Sequence, residues 1–235
     1  MGAALRQQFE SLITPKTLTP KTLAGLFGWR ERPLPETVPT GVAELDAALG
    51  GLPRGGLTEI FGPPSSGRAS LLASILAAAT RRGEVCALVD AEDCFHPQSA
   101  AAAGVRLDRL LWVRCAHNAE HALKTADLLI QGGGFGLVAM DLGDTPPAVA
   151  RRISLTSWFR LRRAVEYTPT VLVAVARQSN AKTCASLMLE CVRERASWTG
   201  ATPLLRGIRA RVARRKPGHA VTACFQAGYR AEALK

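Results

Sequence analysis

Thr58-Glu59-Ile60-Phe61-Gly62-Pro63-Pro64-Ser65-Ser66-Gly67-Arg68-Ala69-Ser70-Leu71-Leu72 reads as a short apolar strand, a glycine-framed loop and the start of a helix. Backbone N–H groups of such a loop, gathered at a helix N-terminus, attract phosphate whatever the side chains are. The nucleotide-binding version of the pattern is G-x-x-x-x-G-K-[ST]. The glycine spacing fits, and the last two positions depart from it. Arg68 replaces the lysine, and its planar fork is no substitute for a compact ammonium at close quarters. Ala69 replaces the hydroxyl that would hold Mg²⁺. Ser66 and Ser70 are the nearest hydroxyls. The loop residues Gly62, Ser65, Ser66, Gly67, Arg68, Ala69 and Ser70 therefore form a phosphate-binding framework with impaired chemistry, and ATP with Mg²⁺ is expected to bind weakly or not at all.

Outward from this loop, strands and helices alternate. A short helix over Gly41–Leu49 ends at Gly50-Gly51 and precedes the Leu57–Phe61 strand. The helix after the loop is expected to run from Gly67 to Thr80. Strands are expected over 85–89, 110–113, 136–140 and 170–176, with helices over 97–103, 117–130 and 146–167 between them. From Cys184 onward three strand-like runs (185–192, 207–213 and 220–226) replace the helices. Alternation of this kind gives a mainly parallel sheet covered on both faces, and the tail adds antiparallel strands at one edge. The fold expected is α/β, a three-layer P-loop core.

The chain has 235 residues, 47% hydrophobic, enough for one substantial core. Residues 1–39 read as a separate arm or linker ahead of a 40–235 core. They hold a repeat, Thr14-Pro15-Lys16-Thr17-Leu18 then Thr19-Pro20-Lys21-Thr22-Leu23, whose prolines oppose a continuous helix. No apolar run has membrane-span length, and the first dozen residues are too polar for a signal peptide. Six scattered cysteines without C-x-x-C spacing argue for buried thiols rather than zinc or disulfides. A cytoplasmic protein is expected. Histidines show no metal-ligand spacing.

The net charge of +11 points to a polyanion or an acidic partner. It is concentrated in two segments. One holds Arg151, Arg152, Arg160, Arg162 and Arg163; the other holds Arg193, Arg195, Arg206, Arg209, Arg211, Arg214, Arg215 and Lys216, opposed by Glu194. Either is a candidate DNA or partner contact, or simply a solvated basic face. Candidate site acids are Asp141, closing the Leu137–Met140 strand, and Glu92 within Asp90-Ala91-Glu92-Asp93 after the second strand. An acid at a strand end beside the loop suits Mg²⁺, and Glu92 suits a base that orients water. Asp90, Glu92 and Asp93 read equally well as loop acids. Arg177-Gln178, after the Val171–Ala176 strand, faces the ligand crevice of an open sheet.

This order of motifs resembles the RecA recombinase core. The resemblance covers residues 38–228 and is most specific over Thr40-Gly41-Val42 through Gly67. It implies that Glu92 corresponds to the catalytic glutamate and Asp141 to the Walker B aspartate. Arg177 or Gln178 corresponds to the glutamine sensing the γ-phosphate, and Arg214 and Lys216 to two lysines reaching ATP on the neighbouring protomer. Only Leu142–Thr145 and Ser179–Thr183 stand where RecA carries its DNA-binding loops, and the resemblance leads to the expectation that RecA's C-terminal domain is missing. A small, basic, trimmed core of this kind is most similar to the ImuA family.

That likeness implies an accessory role in DNA damage tolerance: translesion synthesis and mutagenesis under the SOS response. The implied partners are an ImuB-like polymerase homologue, RecA and an error-prone replicative-type polymerase. Glu92 and Gln178 are then vestigial, no residue is firmly catalytic, and nucleoid association is open. The alternatives are a slow ATPase of the RecA class, using Glu92, Asp141, Arg214 and Lys216, and a sequence-independent DNA-binding module.

Overall fold

The computed structural model describes residues 36–199, 204–218 and 220–229. The 1–35 part of the expected arm, with its repeat, lies outside the described residues. The elements are β1 (Thr37–Val38), α1 (Ala43–Leu49), β2 (Leu52–Pro53), β3 (Leu57–Phe61), α2 (Arg68–Arg81), β4 (Cys86–Asp90), α3 (Pro97–Ala102) and β5 (Leu110–Arg114). There follow α4 (Ala119–Gly132), β6 (Leu137–Leu142), α5 (Pro147–Ala150), α6 (Leu155–Val165), β7 (Val171–Ala176), β8 (Leu187–Trp198), β9 (Leu205–Lys216) and β10 (Val221–Gly228). β1 pairs antiparallel with β2, so pairing with the core starts ahead of Thr40.

The other strands form one sheet in the order β10-β9-β8-β3-β7-β6-β4-β5. From β5 to β8 every pair is parallel; β9 and β10 turn back antiparallel. The α/β fold with an antiparallel C-terminal edge is thus the one expected. β7 is apolar throughout because both faces of the sheet are covered, yet its residues still alternate. Val171, Val173 and Val175 point into the core beneath α1 and α2, while Leu172, Ala174 and Ala176 point into the core beneath α4 and α6. On the second face Trp158 of α6 is fully buried and anchors that helix.

Two expectations fail locally. The helix expected over 146–167 is two helices, broken at Arg151–Ser154. Ser154 leaves helical geometry (φ −68°, ψ 152°) and its Oγ accepts the N–H of Ser157 at 3.1 Å, a cap that starts α6 afresh. The tail strands are also longer than expected, 12, 12 and 8 residues, because the antiparallel ladder runs past the end of the apolar runs. Four cysteines (86, 115, 184 and 191) are buried, whereas Cys94 is exposed and Cys224 half-buried. Among the described residues no helix is long and apolar enough to cross a membrane.

Candidate functional site

The two glycines that frame the loop are each demanded by a neighbour. A Cβ on Gly62 would collide with the carbonyl of Cys191 on β8. Gly67, at φ 96°, lies in the left-handed region, and a Cβ there would stand 2.9 Å from Ala210 of β9 and 3.1 Å from the Phe225 ring of β10. The antiparallel ribbon therefore packs on the loop, and the glycines are needed for that contact whether or not phosphate binds. Ser65 and Ala69 are exposed. Ser66 is buried, and its Oγ has no hydrogen-bond partner. Ser70 Oγ lies 3.2 Å from the Tyr229 hydroxyl beyond β10.

Arg68 turns away from the loop. It is only 7% exposed, and its Nη1 donates to the carbonyl of Gly143 at 3.1 Å, beside Asp141 at the end of β6. Burial lowers the guanidinium's pKa, and Asp141 and Asp144 pull the other way. Arg177, leaving β7, donates to the same Gly143 carbonyl from Nε at 3.2 Å and to the Asp144 carbonyl from Nη2 at 3.1 Å. An arginine opening α2 and another leaving β7 thus converge on one carbonyl. Asp141 accepts the Gly143 N–H at 2.7 Å, and burial pushes its carboxyl up to about 6, a rise that the Gly143 N–H opposes. Between Arg177 and Gln178, Arg177 is the one directed at this cluster; Gln178 is exposed, and its carbonyl accepts from Asn180.

The acids after β4 are held in place. Asp90 is buried and accepts from the N–H groups of Cys94 and Phe95 and from Trp112 Nε1. Asp93 holds Arg114 at 3.0 Å and the N–H of Ala116 at 3.3 Å. Glu92 accepts the Thr145 hydroxyl at 2.8 Å, and its other oxygen lies 2.9 Å from His117 Nδ1. It ties the loops after β4, β5 and β6 together.

Sequence reasoning missed Glu59. This residue of β3 is fully buried, and its Oε1 accepts the N–H groups of Asn180 and Ala181 at 2.6 and 2.8 Å. Its Oε2 accepts the Ser179 hydroxyl at 2.7 Å. The acid fixes the turn after β7. An acid inside an apolar strand was the available signal, because a buried carboxylate needs donors.

In the ribbon, Lys216 is engaged within its own chain: Nζ donates to the carbonyls of Thr183 and Ala185 at 2.8 and 2.5 Å. Arg214 is paired in register with Leu189, whose side chain belongs to the α2 face of the sheet. Arg209 and Arg211 approach Glu194 at 3.3 and 3.7 Å, and Arg215 pairs with Glu190. On the helices, Arg151 Nε donates to the Pro147 carbonyl and Arg160 pairs with Asp127. Arg152 and Arg163 are exposed and Arg162 is half-buried. Among the described residues no three His, Cys, Asp or Glu side chains converge as a metal site.

ATP with Mg²⁺ does not fit these residues as they stand. The hydroxyl ligand is absent at Ala69, and the cation beside Asp141 is the Arg68 guanidinium. Phosphate chemistry is left with the backbone of the loop and the unpartnered Ser66 hydroxyl.

A Gly-framed loop between a central parallel strand and its helix, with an acid closing a nearby strand, defines an α/β P-loop domain. The match is specific: residues 25–148 fit the RecA N-terminal domain, more than half of the chain, and the chain belongs to that family. It is 35% identical over 156 residues to Protein RecA of Chloroflexus aurantiacus, an alignment covering 60% of this chain and 44% of the relative. Protein RecA of Deinococcus radiodurans is also 35% identical over 156 residues, covering 60% of this chain and 43% of the relative. Protein RecA of Methylococcus capsulatus is 45% identical over 108 residues, 45% of this chain and 31% of the relative. The chain thus spans less than half the length of these curated relatives.

Proposed function

We propose that this chain is a RecA-like accessory protein of DNA damage tolerance, of the ImuA kind, that does not turn over ATP. The observation that carries the reading is Arg68: its charge is spent on the Gly143 carbonyl beside Asp141, where a nucleotide site needs its lysine and its metal. Glu92 adds support, since both its oxygens are engaged by Thr145 and His117 rather than turned toward a water. The short turns after β6 and β7, braced by Arg177 and Glu59, favour a scaffold over a DNA-strand-exchange machine. The partners in this reading are an ImuB-like polymerase homologue, RecA and an error-prone replicative-type polymerase.

Calorimetry with ATP and Mg²⁺ tests the nucleotide half. The native chain gives no binding heat, and Arg68→Lys combined with Ala69→Thr creates it. Turnover well above background that Glu92→Gln abolishes would overturn the reading. Capture of purified RecA and ImuB homologue, with and without residues 1–39, tests the adaptor half; failure to retain either partner removes it.

A further inference from the structure

The turn after β7 and the break between α5 and α6 border a cavity of about 180 Å³. Arg151, Ile153, Ser154 and Leu155 line it from the break, and Ser179, Asn180 and Lys182 line it from the turn. Two cations thus border one small space, and no acid lines it. Neither cation is neutralised by a carboxylate among the described residues. Arg151 spends its Nε on the Pro147 carbonyl at 3.1 Å, and Lys182 has no hydrogen-bond or ion-pair partner there. Glu59 is not one of the lining residues, and its oxygens already accept from Ser179, Asn180 and Ala181.

The walls are fixed by contacts that no ligand supplies. Asn180 is 8% exposed, with its N–H on Glu59 and its Nδ2 donating to the Gln178 carbonyl at 2.9 Å. Lys182 opens a short 3-10 turn in left-handed backbone (φ 47°), and Lys216 grips that turn through the carbonyls of Thr183 and Ala185. The Cys184 thiol lies 3.9 Å from the Leu155 carbonyl, which joins the turn to α6. The first turn of α6, a helix of 11 residues, has Ser154 as its cap and carries no acidic residue. Its free N–H groups favour an anion, as at any helix start, but here two cations share the space with them.

We infer that this cavity binds one small phosphomonoester, whose dianionic phosphate sits between Arg151, Lys182 and the first turn of α6. A volume of about 180 Å³ is below the roughly 300 Å³ at which pockets for drug-sized ligands begin. The space therefore admits a phosphate group with a short stem, and Ile153 and Leu155 give that stem an apolar wall. A guanidinium, an ammonium and a helix start come from three different elements, which suits the several oxygens of a tetrahedral dianion. A planar carboxylate would be satisfied by the guanidinium fork alone. A phosphodiester has one charge fewer and a second substituent to accommodate. No residue of the Gly62–Ser70 loop lines the cavity, so this site is separate from the phosphate framework described above.

The inference needs neither nucleotide nor polymerase, so it stands or falls apart from the proposed function. Calorimetry on the full chain with inorganic phosphate and with methyl phosphate, at constant ionic strength, measures it. Saturable binding is expected, tighter at pH 7.5 than at pH 5.5 because the second phosphate proton leaves near pH 6. No histidine or acid lines the cavity, so that change belongs to the ligand. Arg151→Gln with Lys182→Gln is expected to weaken binding at least about tenfold. The charge-matched pair Arg206→Gln with Arg209→Gln is expected to leave it unchanged. Amide NMR shifts on adding phosphate are expected at Ser154–Ser157 and at residues 179–182. Undiminished affinity in the Arg151–Lys182 double variant overturns the proposal. So do shifts confined to the Gly62–Ser70 loop, or acetate or dimethyl phosphate binding as tightly as methyl phosphate.

Discussion

The arginines of this protein are held in two opposite ways. Arg68 and Arg177 are drawn in at the ends of the parallel strands, sharing the Gly143 carbonyl beside Asp141 and Asp144. Arg209, Arg211 and Arg215 stand largely in solvent on an antiparallel ribbon, paired with Glu190 and Glu194. The first pair consolidates the fold where a nucleotide machine would keep its cations free. The second set contributes little to stability and is available to a partner. Charge alone distinguishes neither; burial does.

Removing Arg68 is the strongest way to break that contrast. Arg68→Met leaves the Gly143 carbonyl and Asp141 without their buried cation and is expected to cost about 3 kcal/mol in urea unfolding. A loss below about 1 kcal/mol, no larger than at a surface arginine, would erase the distinction.

Asp141 comes next, through pH. Its carboxyl titrates near 6 in the fold, above the usual value of 3.8, so the folded protein retains a proton that the unfolded chain has released. This group favours folding fully below the unfolded value, and its contribution disappears as pH rises through about 6, a loss of at most about 3 kcal/mol. Urea unfolding at pH 4 and pH 7 should show that fall in the native chain and a flatter profile in Asp141→Asn. Identical slopes would place the proton elsewhere.

Arg177→Ala is a smaller perturbation, about 1 kcal/mol, because the guanidinium is partly exposed and water replaces some of its donors. Arg209→Ala, Arg211→Ala and Arg215→Ala are expected to change stability by no more than about 0.5 kcal/mol each. If any of the three matched Arg68→Met, the ribbon's arginines would be structural too.

Much of the fold was legible because parallel strands buried on both faces write themselves as apolar runs. Leu57–Phe61 and Val171–Ala176 need no tertiary information to be found. The break at Ser154 was not legible, since a serine within a basic, helix-compatible run is a cap only if the chain turns there. The loop's departures from the nucleotide-binding pattern were visible in Arg68 and Ala69, but the direction of Arg68 was not, because it depends on Gly143, 75 residues away. Arg177 and Gln178 could not be ranked by spacing; strand parity and the turn fixed by Glu59 distinguish them. The likeness to RecA suggested an outward reach for Lys216. Carbonyls at Thr183 and Ala185, gathered by a short turn, hold it within the chain instead.

That lysine imposes a choice on any assembly. One ammonium cannot clasp its own chain at Thr183 and Ala185 and also extend to a neighbouring molecule. A copy that lends Lys216 across an interface must first release the base of its ribbon, and the residues next to it are the ones that join the ribbon to α6. Closing on its own chain and reaching across an interface are therefore mutually exclusive for this residue.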